Sequence, residues 1–88
     1  MDTDHVTEAV RQFILKEFLP GEDPGELTDR TPLITGGILD SLATLKMVAF
    51  LEETYGIQLQ AHEVDVEHLD TIADMVRLVA AKQSVPRR

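Results

Sequence analysis

The 88-residue chain contains no cysteine, so it can form no disulfide framework, no thiolate zinc site and no thiol nucleophile of its own. Basic residues are scarce: eight Lys and Arg stand against sixteen Asp and Glu, a formal charge of -8. Such a surface repels phosphate backbones and anionic lipid, which argues against nucleic acid and membranes and favours partners with basic surfaces. No window approaches the roughly 18 uninterrupted apolar residues of a membrane helix. The start, MDTDHVTEAV, has neither the cationic end nor the long apolar core of an export signal. A cytoplasmic, monomeric protein is the expectation. Strand-like alternation and internal repeats are also missing, and a single domain of this size buries only about 60 to 65% of its unfolded surface, too little for a large enclosed active site.

What is present has helical period. Val6, Val10, Phe13, Ile14 and Phe18 recur on one face, with Asp2, Thr3 and Asp4 as capping candidates and Pro20-Gly21 as the stop. Residues 20–40, PGEDPGELTDRTPLITGGILD, are rich in Gly, Pro and Asp yet carry Leu27, Leu33, Ile34, Ile38 and Leu39. A structureless loop of that length is uncommon in a compact domain, so these side chains are expected to pin it to the core, with a short helical turn along it. Asp40 reads as the N-cap of a second helix ending near Tyr55, with Gly56 in the left-handed position beyond it and Ile57 packing back. A turn of helix is expected around Ala61 to Val66. Asp70 then reads as the cap of a last helix carrying Ile72, Val76, Val79 and Ala80 on one face, followed by a frayed SVPRR tail. The sum is an all-α fold, a small antiparallel four-helix bundle of three main helices and one short one with a long first loop. Its core is expected to span about residues 4–82, with 83–88 as a flexible tail.

The second helix, within GGILDSLATLKMVAFLEETYG, is apolar on more than one side. At 100° per residue, Met47, Val48, Leu51 and Tyr55 form a core face, Ala43 and Phe50 lie nearly opposite Ser41, and Leu42, Leu45 and Ala49 gather in a third sector. Phe50 and Met47 are assigned to the core. For Leu42 and Ala49, core packing and a partner-facing patch remain open. Ser41 stands in the first turn directly after Asp40, a pair that by itself caps helices without any chemistry.

Other chemistries fit poorly. A Ser/His/Asp hydrolase needs a strand-to-helix elbow such as G-x-S-x-G, whereas this chain reads LDSLA and shows no sheet. His5, His62 and His68 lack the i,i+4 spacing of a helical metal pair, and DTDHVTE lacks the glycine of a calcium loop. An unmodified acidic helical adaptor that binds a partner helix is the alternative from a different class.

The combination of GGILDSL, an apolar-anchored loop before it, a helix of about four turns ending in LEETYG, and an acidic all-helical chain resembles the acyl and peptidyl carrier proteins. The similarity runs from about Val6 to Ala80 and includes FLEETYGIQL and HLDTIADMVRLV as well as LDSL. The resemblance implies that Ser41 carries 4′-phosphopantetheine taken from coenzyme A, that a phosphopantetheinyl transferase attaches it, and that the chain is a carrier and not an enzyme. The missing thiol would come from that group. A phosphodiester at a helix N-terminus is favoured by roughly 0.3 to 1 kcal/mol when exposed. Asp40 opposes this slightly, and its roles are helix capping and recognition. Asp40, Leu42, Leu45, Lys46 and Ala49 are the candidate partner surface.

Carriers of fatty-acid synthesis continue acidic after the signature, where this chain has Ala43 and Lys46, with Glu52 and Glu53 only later. LITGGILDSLATLKMVAFLEETYGIQL looks most like the discrete carriers of secondary metabolism, such as nonribosomal peptide biosynthesis, which are loaded with aminoacyl or other small acyl groups by separate adenylation enzymes. Such a free-standing carrier is the expected function, with a downstream tailoring or condensing enzyme as further partner. A fatty-acyl or polyketide carrier is the alternative within the family.

Overall fold

The computed structural model describes residues 3–21 and 24–84. Asp2 among the capping candidates and residues 85–88 of the tail lie outside them. Four α-helices follow one another: α1 (Thr3–Phe18), α2 (Ser41–Tyr55), α3 (Val66–Leu69) and α4 (Ile72–Ser84). Short 3-10 turns occupy Pro24–Glu26 and Ala61–Glu63, and there is no strand among the described residues. The all-helical bundle read from the sequence is the fold observed.

Helix α1 buries Val6, Val10 and Ile14 completely or nearly so, with Leu15 beside them. Phe13 stacks on Phe50 of α2 with ring centroids 4.1 Å apart. The helix ends because Pro20 has no N–H with which to continue it. The Leu19 amide instead bonds back to the carbonyls of Ile14 and Leu15 at 3.2 and 3.3 Å.

The long first loop is pinned as expected. Leu27, Leu33 and Leu39 are buried, and Ile34 and Ile38 pack against the same core. Its backbone is also accounted for, as buried polar groups require. The Arg11 guanidinium donates to the Leu27 carbonyl at 2.8 Å, the Ala73 amide to the Asp29 carbonyl at 3.0 Å, and the Leu33 amide to the Asp70 carbonyl at 2.6 Å. The loop is therefore laced to both α1 and the start of α4.

Four details differ from the sequence reading. The helical turn expected around Ala61–Val66 is two pieces, the 3-10 turn Ala61–Glu63 and then α3, which Asp65 caps through its Oδ1 and the His68 amide at 3.0 Å. Asp70 does not cap α4. Thr71 does, its Oγ1 accepting from the Asp74 amide at 3.0 Å, while the Asp70 carboxylate turns toward the first loop. The buried stripe of α4 runs through Ile72, Met75, Leu78 and Val79; Val76 and Ala80 lie at its edge, only partly buried. Once helix begins at Ile72, a step of 100° per residue carries positions 75 and 79 to the same side and 80 well away from it. Helix α4 also runs to Ser84, so Gln83 and Ser84, expected in the tail, are helical.

Candidate functional site

The site is the N-terminal end of α2, and it is built by the residues before it, Leu33 to Asp40. The Ile34–Gly37 turn closes with the Gly37 amide on the Ile34 carbonyl at 3.1 Å, and the Ile38 and Leu39 amides both bond the Leu33 carbonyl at 2.8 Å. Both glycines are needed. Gly37 sits at φ +83°, and a Cβ on Gly36 would collide with the Pro32 carbonyl oxygen. Leu39 then plunges into the core and leaves Asp40 extended at φ -86°, ψ -172°.

Asp40 is the N-cap, as expected. Its Oδ1 accepts from the Ala43 amide at 2.8 Å, and its carbonyl accepts both the amide and the hydroxyl of Thr44 at 2.8 Å. Because Asp40 supplies the cap, the Ser41 hydroxyl is not spent on it, and Ser41 is exposed. The remaining first-turn N–H groups and the positive end of the helix lie beside that hydroxyl.

The apolar sector left open by the sequence is resolved on one side. Leu42 is 64% exposed and Leu45 61%, and Ala49 and Lys46 are exposed with them. Ala43, Met47 and Leu51 point inward, and Val48, Phe50 and Tyr55 are partly buried around them. An open groove of about 560 Å³ runs from Ser41 between α2 and the segment leading into α3, walled by Ile34, Leu39, Thr44, Leu45, Val64 and Val66. Val66 is 45% exposed. On the other flank of Ser41, Phe18, Leu42, Ala43 and Lys46 line a smaller hollow of about 190 Å³. Sequence reasoning missed Val64, Val66 and Ile34 as groove walls. The available signal was an apolar Val-x-Val pair flanking Asp65, the cap of a short helix.

Electrostatics at the site is modest. The His68 ring bonds the Asp65 carboxylate at 2.8 Å, which holds that carboxyl below its usual range and raises the His68 imidazole. The Asp70 carboxyl is also held low, first by the Thr35 amide and further by the Thr35 hydroxyl and the Ile34 amide. The Asp40 carboxylate beside Ser41 is occupied by the Ala43 amide. Among the described residues no three His, Asp or Glu side chains form a group able to hold a metal ion, and no helix is long and apolar enough to cross a membrane. The arrangement is an accessible primary hydroxyl at a capped helix terminus, next to an open apolar groove. The helix end favours an anion, and the groove offers an apolar surface beside it.

Residues 13–79 match a protein family described as "Phosphopantetheine attachment site". The chain is 32% identical over 75 residues to the "Probable acyl carrier protein PigG" of Serratia sp. (strain ATCC 39006), and the matched stretch covers 85% of each chain. It also superposes on a chain of a solved structure described as "Crystal structure of FAD-dependent dehydrogenase", with a TM-score of 0.72 and 33% identity over 80% of this chain and 97% of that one.

Proposed function

The chain belongs to the phosphopantetheine-binding carrier proteins, and from that premise we propose that Ser41 is its attachment point. Proteins of this family are carriers and not enzymes; they take a covalent 4′-phosphopantetheine from a phosphopantetheinyl transferase and serve biosynthetic enzymes. The observation that supports Ser41 is its place: exposed, freed from capping by Asp40, and at the mouth of the apolar groove. The bound group supplies the thiol that a cysteine-free chain lacks, and with it a thioester linkage for cargo.

The chain's own residues do the rest. The first-turn N–H groups of α2 favour the phosphodiester charge by about 0.3 to 1 kcal/mol. Asp40 holds that turn in shape, its Oδ1 accepting from the Ala43 amide. Leu42, Leu45 and Ala49, with Asp40 and Lys46 at the rim, form the surface on which partner enzymes dock.

We further infer a free-standing carrier of secondary metabolism, loaded with an aminoacyl or other small acyl group by an adenylation enzyme. Three observations favour this. No carboxylate occurs on α2 before Glu52, so the exposed face of that helix beyond Ser41 is apolar with one cation, Lys46. The relatives are matched over most of their own length. The solved relative comes from a structure described as an FAD-dependent dehydrogenase, which makes an enzyme of that class the first downstream tailoring partner to try.

Intact-protein mass after incubation with coenzyme A and a phosphopantetheinyl transferase tests the attachment. The parent should gain one prosthetic group and Ser41→Ala none, with unchanged helical circular dichroism. A modified Ser41→Ala protein would move the site elsewhere. Loading of the phosphopantetheinylated parent by ATP and small acids through an adenylation enzyme supports this reading, and loading confined to long-chain acyl donors supports a fatty-acyl carrier.

A further inference from the structure

Four donors from three consecutive loop residues converge on Asp70. Its Oδ1 accepts the amides of Ile34 at 2.8 Å and Thr35 at 2.9 Å, its Oδ2 accepts the Thr35 hydroxyl at 2.9 Å, and its carbonyl accepts the Leu33 amide at 2.6 Å. Successive backbone amides wrapped on one carboxylate form an anion nest, here filled by a side chain of the same molecule. Nothing in α4 needs that carboxylate, because Thr71 caps the helix. Asp70 is itself firmly placed: its amide bonds the Val66 carbonyl at 3.2 Å and closes α3.

The clasp lies behind both walls of the Ser41 groove. Ile34 and Leu39 form one wall, and they belong to the strap that Asp70 grips and that leads into Asp40 and Ser41. Val64 and Val66 form the other, on the segment that ends at Asp70. We propose that Asp70 is a positioning residue for reaction at Ser41: it fastens residues 33–35 to the α3–α4 corner and so keeps the N-terminus of α2 and the groove beside it in the single arrangement that a modifying enzyme engages. The proposal rests on Ser41 being the attachment point. Releasing the clasp leaves Ser41 chemically intact but lowers the fraction of molecules that present it correctly. A partner then meets fewer competent carriers, so KM for the carrier rises by the inverse of that fraction while kcat holds.

Amide hydrogen exchange on the apo protein and transferase kinetics with coenzyme A test this on D70A, D70N and T35V. In D70A the Ile34 and Thr35 amides should lose about tenfold or more of their protection while those of Met47 and Leu51 keep theirs, and KM for the carrier should rise about fivefold with kcat within about twofold. Asn keeps an oxygen for both amides, so D70N should restore most of the protection and most of the KM. Unchanged exchange in a folded D70A overturns the clasp. Lost protection with an unchanged KM, or a loss confined to kcat, overturns the positioning role. Should D70A fail to fold, T35V decides: a KM rise of about twofold together with faster Thr35 exchange supports the proposal, and parent behaviour in both overturns it. A parent that takes up no prosthetic group overturns the reading of Ser41 and the proposal with it, and the exchange data tell that failure apart from a failure of the clasp.

Discussion

The two ends of α2 are made of similar residues and put to opposite uses. At the C-terminal end Leu51 is fully buried, Phe50 stacks on Phe13, the Gln83 side chain donates to the Tyr55 carbonyl at 3.0 Å, and Glu52 accepts the Leu59 amide at 2.8 Å. At the N-terminal end Leu42 and Leu45 are more than 60% exposed, and the fastening lies outside the helix, in the Asp40 cap and in the loop gripped by Asp70. The C-terminal end is held by packing with two hydrogen bonds added, the N-terminal end chiefly by directed hydrogen bonds. Packing is insensitive to direction and resists change, whereas a cap and a clasp fix orientation while leaving the surface bare. The Ser41 hydroxyl, proposed above as the attachment point, lies at the second kind of end.

The largest test of that contrast places the same charge on both ends. Leu51→Asp forces a carboxylate into the core at a cost of several kcal/mol, enough to abolish a cooperative melt in a domain this small. Leu45→Asp, six residues away, should melt within a few degrees of the parent yet lower the efficiency of transferase modification about tenfold, because it charges a docking surface. A Leu45→Asp protein that unfolds, or that is modified at the parent rate, breaks the comparison.

A smaller effect is expected at the anchored end. Gly56 sits at φ +64°, ψ 35°, and a Cβ there would meet nothing within 4 Å, so the constraint is purely one of backbone conformation. Gly56→Val should cost about 1 to 2 kcal/mol in a denaturant titration, and Gly56→Asn less, since Asn tolerates the left-handed region. Equal midpoints for Val and Asn would show that the helix does not depend on this turn.

The smallest effect is a titration of the serine end. The Asp70 carboxyl lies below its ordinary value because loop amides and the Thr35 hydroxyl bond its charged form. Its contribution to stability is therefore complete above the unfolded carboxylate value of about 3.9 and is lost as pH falls through the lower folded value. The melting temperature should decline below about pH 4, and D70N should flatten part of that decline. Glu63, held low chiefly by its hydrogen bond to Lys82, and Asp65, held low chiefly by its hydrogen bond to His68, contribute in the same direction and leave the rest. An identical acid slope in D70N would mean that the clasp bears no weight.

The legible parts of this molecule were local. Asp40 three residues before the amide it caps, Gly56 after the last turn, and the leucines of the first loop declare themselves through near neighbours or through composition. Asp70 did not, because an aspartate ahead of a helix has two outlets of similar energy, and its actual partners stand 35 and 36 residues away in sequence. The apolar sectors of α2 were legible as sectors. Which of them lacks a cover depends on where α1 and α4 come to rest, and periodicity within one helix carries no information about that.

The bare leucines beside Ser41 pose a problem of crowding. An exposed apolar patch is open to a second copy of itself, and at high concentration apolar faces find one another. The excess of carboxylates is distributed over the other helices and loops while the first three turns of α2 carry none. Two copies approaching patch to patch bring their acidic flanks together, and mutual repulsion grows as they close. A net charge of -8 thus opposes the meeting of two such apolar patches. Added salt, by screening the flanks, weakens that opposition and leaves the patch itself unchanged.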